Sequence, residues 1–121
     1  MDNKDFKKQL IAKAFHAAKN GMKLVDVFPR KQSARIISDQ FLRAITSIGA
    51  NIVEAQAASS KRDFVNFLNH ALKSGNETLF WLELSKDLDE SLVPSVDQLL
   101  KDVNEITKIL GSSIATLREK L

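Results

Sequence analysis

The sequence predicts an all-α fold, an up-and-down antiparallel four-helix bundle forming one domain over residues 1–121. Three observations carry this expectation. Apolar residues recur at three-to-four spacing in four long segments. Only two prolines and four glycines interrupt the 121 residues. The breaks between segments are short, which favours antiparallel neighbours. No β-hairpin competes: neither Asn-Gly nor Asp-Gly links alternating apolar runs, and Asn20-Gly21 sits inside a helical pattern.

The first helix is expected over 4–27, with Phe6, Leu10, Ala14, Ala17, Leu24 and Val25 on one face. Lys4, Lys8, Lys19 and Lys23 project over an arc of roughly 100° on an ideal helix. Pro29 disfavours helix at Phe28, so a loop follows. The second helix is expected from an N-cap at Ser33 to about Ala57. Its main apolar face is Ile37, Phe41, Ala44, Ile45, Ile48 and Ile52, with a second flank of Leu42, Thr46, Gly49 and Val53. A polar line, Gln40, Arg43, Ser47, Asn51 and Glu54, runs beside that face, so the apolar stretch Arg43–Ala55 is expected near the centre of the fold. Gly49 costs about 1 kcal/mol against Ala within a helix, which suggests close approach by a neighbouring helix.

Ser60 and Asp63 have the form of a capping box opening a third helix over about 61–88. Phe64, Phe67, Leu68, Ala71, Leu72, Gly75, Leu79 and Leu82 form its expected core stripe. Asn66, His70, Ser74, Glu77 and Trp81 run alongside. Pro94 suits the first turn of a fourth helix. There Val96, Leu99, Leu100, Val103, Ile106, Ile109, Leu110, Ile114 and Leu117 give the clearest periodicity in the chain.

Composition narrows the function classes. With 44% hydrophobic and 27% charged residues the chain is globular rather than disordered. The absence of Cys excludes disulfides and thiolate metal sites, as suits a reducing compartment. No run of eighteen apolar residues occurs and MDNKDFKKQL has no apolar signal region, so a soluble, cytoplasmic protein without membrane association is expected. The net charge of +3 is unevenly spread. Residues 1–62 hold twelve Lys and Arg against five Asp and Glu, whereas 63–121 hold six against ten. Such asymmetry suits an anionic partner, or equally basic and acidic helices that face each other within or between subunits.

No constellation reads as catalytic. Di-iron bundles need Glu-x-x-His pairs, whereas Phe67 precedes His70 by three residues and Lys13 precedes His16, so no metal or other cofactor is expected. Glu54 and Glu77 could form a carboxylate pair, but no phosphate cradle or nucleophile elbow accompanies them. The preferred reading is a structural polar layer in which Arg43, Ser47, Asn51, Glu54, Ser74 and Glu77 fix helix register. Lys4, Lys8, Lys19, Lys23, Arg30, Lys31, Arg35, Lys61 and Arg62 form the candidate nucleic-acid-binding set, suited to phosphates with little sequence specificity. Phe80 and Trp81 could stack on bases. At helical spacing with Leu84 they fit a subunit surface better, so Gly49, Val53, Phe80, Trp81 and Leu84 are the candidate oligomer interface.

Several segments together resemble a known family: Arg43-Ala44 through Ser47, Ala50-Asn51-Ile52-Val53-Glu54-Ala55, Ser60-Lys61-Arg62-Asp63-Phe64, Ala71 through Thr78, and Trp81-Leu82. These are similar to the four-helix bundle proteins encoded in intervening sequences of bacterial large-subunit (23S) rRNA genes, often labelled S23 ribosomal proteins. The resemblance covers nearly the whole chain, Phe28-Pro29 included. Many members read Ser-Ile-Pro-Ala-Asn-Ile-Ala-Glu-Gly here; this chain has Gly49 in place of the proline and Ala55 in place of the glycine. The resemblance implies homopentamers. It also implies a likeness to the accessory proteins of diversity-generating retroelements, basic pentamers that bind nucleic acid and a reverse transcriptase. The resulting expectation is a non-enzymatic, homo-oligomeric bundle that binds structured RNA through phosphate contacts. The alternative is a protein-interaction scaffold whose charged surfaces serve assembly alone.

Overall fold

The computed structural model describes residues 3–120; Met1, Asp2 and Leu121 of the expected domain lie outside them. Four helices account for nearly all of this span: α1 (Asn3–Asp26), α2 (Gln32–Ala55), α3 (Lys61–Ser85) and α4 (Val93–Arg118). A short 3-10 turn at Glu90–Leu92 leads into α4. Each helix packs on its two neighbours in a closed cycle, α1 on α2, α2 on α3, α3 on α4 and α4 on α1, which is the up-and-down four-helix bundle expected from the sequence.

The helix ends follow from local chemistry. Ser60 Oγ accepts a hydrogen bond from the Asp63 backbone N–H at 3.1 Å, and the Asp63 carboxylate accepts from the Ser59 N–H at 3.2 Å, so the expected capping pair opens α3. The second helix begins one residue before the expected cap at Ser33. Its N-cap is Lys31, whose side chain does not cap the helix but donates to the Leu88 carbonyl at 3.1 Å, tying the first loop to the segment after α3. Helices α2 and α3 stop two and three residues short of expectation, at Ala55 and Ser85, where Gln56 and Lys86 continue with single-turn hydrogen bonds. Asp89 accepts the Ser91 N–H at 2.9 Å and starts the 3-10 turn.

The core runs between the helices from Leu10 and Val65 at one end to Leu88 and Leu92 at the other. Its α2 contribution is the expected face, Ile37, Phe41, Ala44, Ile45, Ile48 and Ile52, extended by Ala34 and Ala55. On α3 the buried line is Val65, Leu68, Ala71, Gly75, Thr78, Leu82 and Ser85. Phe64, Phe67, Leu72 and Leu79 border it, half-buried, while two polar residues lie inside it. Thr78 and Ser85 can be buried because their hydroxyls donate to the Ser74 and Leu82 carbonyls, each at 2.7 Å.

Two glycines set helix spacing. A Cβ on Gly21 would come within 3.1 Å of both Ile45 and Phe41, and one on Gly75 would lie 2.6 Å from Thr107 Cγ2. At α2, Gly49 faces Ala14, to which a Cβ would be 3.4 Å. The close approach inferred for Gly49 is thus made by α1 of the same chain.

Candidate functional site

The central stretch of α2 is not enclosed on all sides. Arg43, Thr46, Ala50, Val53 and Glu54 are exposed or half-buried, as are Ser47 and Asn51, so the polar line forms one margin of the helix's solvent side. The mutually bonded polar layer expected there is corrected by the hydrogen bonds. Ser47 Oγ donates to the Arg43 carbonyl at 2.7 Å, and Asn51 Nδ2 to the Ser47 carbonyl at 2.8 Å. On α3, the Ser74 carbonyl accepts from Thr78, and Glu77 Oε2 accepts from the Trp81 indole N–H at 3.0 Å. Among the described residues no hydrogen bond joins these side chains across the two helices. Short polar side chains reach a carbonyl one turn back before they can span the roughly 8–10 Å between helix axes. No group of three or more potential metal ligands occurs among the described residues.

The basic residues fall into three groups. Lys4, Lys8, Lys19 and Lys23 all lie on the solvent side of α1, and none forms an ion pair with another described residue. From Lys4 to Lys23 the strip is about 28 Å long at roughly 1.5 Å per residue. Lys61 and Arg62, at the start of α3, lie at the Lys4 end of the bundle; Arg30, Lys31 and Arg35 lie at the Lys23 end. Lys31 is partly committed through its bond to Leu88. On the α4 side of α1, Lys13 Nζ meets Glu105 Oε1 at 2.6 Å, which holds the Glu105 carboxyl below its ordinary range. The charge asymmetry thus has two outcomes in one helix, an ion-paired Lys13 against α4 and a lysine face without ion-pair partners among the described residues.

The candidate interface residues do not form one patch. A Cβ on Gly75 would stand 3.9 Å from Ile48, which fixes the antiparallel register of α2 and α3. That register places Phe80 level with Arg43 and Val53 level with His70, roughly 15 Å apart along the axis. Phe80 is 59% exposed, Val53 52% and Leu84 38%, while Trp81 is half-buried and meets Phe80 edge to face. Phe15 and Met22 on α1 and Ile36 on α2 are exposed as well, and the sequence did not mark them as interface residues. No sequence signal distinguishes them, since each lies on the three-to-four rhythm of a helix with more apolar positions than core.

These features define a class: a small all-α bundle with a basic helix face, several exposed apolar side chains and no group of three or more potential metal ligands among the described residues. No described helix is long and apolar enough to cross a membrane. The chain belongs to the 23S rRNA-intervening sequence protein family, whose model matches residues 7–112. It is similar to a crystal structure of a protein of unknown function from the S23 ribosomal protein family of Bacteroides thetaiotaomicron. The two are 39% identical with a TM-score of 0.79, over 87% of this chain and 97% of that one. No curated protein matches the chain at a significant level.

Proposed function

We propose that this protein is a non-enzymatic, cytoplasmic, homo-oligomeric bundle that binds structured RNA through its basic surface. The observation that carries the reading is the α1 strip, in which Lys4, Lys8, Lys19 and Lys23 are exposed and have no ion-pair partners among the described residues, Lys19 lying over the exposed Phe15 ring. Such a strip attracts phosphate through charge and counterion release, with little base selectivity. Lys61 and Arg62 at one end of the bundle, and Arg30 and Arg35 at the other, add further positive charge. Oligomerisation would sum the fields of several strips. The exposed Phe80, Val53 and Leu84 supply apolar surface for that assembly.

A gel-shift titration of a structured RNA across salt concentrations tests this. Binding should weaken with salt, and replacing all four strip lysines by Gln should make the log–log salt dependence shallower, by roughly 0.7–0.9 for each phosphate the variant no longer neutralises. Absence of binding even at low ionic strength would overturn it. The exposed apolar side chains also favour a second reading, a scaffold in which the charged surfaces serve assembly alone. In that case the lysine strip would be buried between subunits and protected from lysine-reactive labels.

A further inference from the structure

At the end of the bundle where α1 and α3 begin and α2 and α4 finish, the helices form a half-open cavity of about 590 Å³ that neither the basic strip nor the exposed apolar residues explain. Its floor is apolar, formed by the buried Leu10, Val65 and Leu68 together with Phe64. Small residues line it as well: Ala55 at the end of α2, Ala58 in the loop that follows, and Ser112 and Ser113 from α4. Gly111, one residue earlier on α4, also faces open space, since a Cβ there would meet nothing within 4 Å.

Charge specifies what would fill it. Three lysines, Lys7, Lys61 and Lys120, line the cavity, each from a different helix or helix end, and no Asp or Glu is among the described residues that do so. Lys7 Nζ sits 4.9 Å from the Phe64 ring centroid, so one cation is positioned where the apolar floor meets the rim. The Ser112, Ser113 and Thr116 hydroxyls are further hydrogen-bond donors on the α4 wall. An apolar floor, a rim of hydroxyls and lysines, and a volume inside the roughly 300–1,000 Å³ range of small-molecule sites together suit an anion with a hydrocarbon body.

We propose that this cavity binds a free medium-chain fatty carboxylate, its chain laid over Leu10, Phe64 and Leu68 and its carboxylate held among Lys7, Lys61 and Lys120. A nucleotide base fits the same lining less well than a hydrocarbon chain, because the aliphatic Leu10, Val65, Leu68 and Leu117 outnumber the two aromatic residues, Phe6 and Phe64. The site shares Lys61 with the proposed RNA-binding set, whereas Lys7 and Lys120 lie outside that set and separate the two readings in a test.

The test is a titration of the whole protein with decanoate, followed by amide NMR and calorimetry, with decanol and AMP in parallel. Decanoate should bind once per chain with shifts centred on Leu10, Phe64, Leu68 and Ser113, and decanol should bind at least about tenfold more weakly. Lys7→Gln with Lys120→Gln should weaken decanoate by about tenfold while leaving RNA binding unchanged. Ser113→Leu, which fills the cavity and keeps its charges, should abolish decanoate binding while helical content by circular dichroism stays the same. Equal affinity for decanol, tighter binding of AMP, or no saturable shift up to about 1 mM decanoate would each overturn the proposal.

Discussion

Gly75 and Thr107 meet where α3 packs on α4, so closely that a Cβ on Gly75 would lie 2.6 Å from Thr107 Cγ2. Thr107 has little freedom to yield. It is β-branched in a helix, and its hydroxyl donates to the Asn104 carbonyl at 2.9 Å, which holds the rotamer. Gly75→Ala should therefore destabilise the bundle by about 1–2 kcal/mol: overpacking costs roughly 1–3 kcal/mol, and the helix-propensity gain offsets up to about 1 kcal/mol of it. Thermal unfolding should show a loss of about 4 °C per kcal/mol. Adding Thr107→Ser removes the opposing methyl group and should restore most of the stability, so a double-mutant cycle with no coupling would contradict this account.

Gly111 provides the opposite case on α4. Nothing lies within 4 Å of a Cβ built there, so Gly111→Ala gains helix propensity without a clash. The expected outcome is a stabilisation of about 0.5–1 kcal/mol in urea unfolding, with an unchanged m-value. A decrease in stability would mean that the end of the bundle beside the cavity closes more tightly in solution.

These two glycines show where sequence reading reaches its limit. Both sit inside apolar-periodic helices, and nothing in the sequence separates the one pressed against Thr107 from the one in open space. The helices themselves were legible because each has a continuous three-to-four stripe, and the Ser60–Asp63 cap because its spacing is local. Thr78 and Ser85 were missed as core residues because their hydroxyls are satisfied by carbonyls of their own helix, which cancels the cost that polarity signals. The same local bonding misled the reading of Ser47 and Asn51, whose polar groups look like cross-helix partners until the carbonyl one turn back is taken into account. The lysine strip was visible from spacing alone. That Lys13 is neutralised by Glu105 required the fold, because the two are 92 residues apart.

The Lys13–Glu105 pair should give the bundle a weak acid sensitivity. The hydrogen bond and charge of Lys13 lower the Glu105 carboxyl below the ordinary glutamate value, so the group releases its proton more readily in the folded state. A depressed carboxyl contributes stability above its unfolded pKa and loses that contribution as pH falls through the folded value. Both side chains are substantially exposed, so added salt should reduce the effect. Carboxyl-carbon NMR should find the Glu105 midpoint below those of unpaired glutamates, and Lys13→Met should move it upward. An unchanged midpoint in Lys13→Met would show that the pair does not persist in solution.

Asp63 serves two donors at the entry to α3, the Ser59 N–H and, at 3.4 Å, the Ser59 hydroxyl, while Ser60 Oγ accepts the Asp63 N–H. Ser60→Ala leaves that N–H without its cap and should cost about 1 kcal/mol, whereas Ser60→Asn should retain most of the stability. Denaturant unfolding of the two variants checks this. Equal destabilisation would place the contribution of Ser60 elsewhere than in the cap.

Phe80 gives the most direct test of assembly. Its ring is 59% exposed although Trp81, its edge-to-face neighbour at 4.9 Å, is half-buried, so a large apolar surface projects from α3 beside the Glu77–Trp81 hydrogen bond. An isolated bundle gains nothing from keeping Phe80 in that position, whereas a subunit interface removes its surface from water, worth about 1.5–3 kcal/mol for full burial. Phe80→Glu should therefore lower the oligomeric state in light scattering without reducing helical content, because the substitution leaves the core untouched. It should also weaken RNA binding, by reducing the number of lysine strips acting together, even though the strip itself is intact. A wild-type chain that is monomeric at micromolar concentration would refute the assembly. If Phe80→Glu stays fully oligomeric, the interface lies instead on the faces carrying Val53 or Phe15.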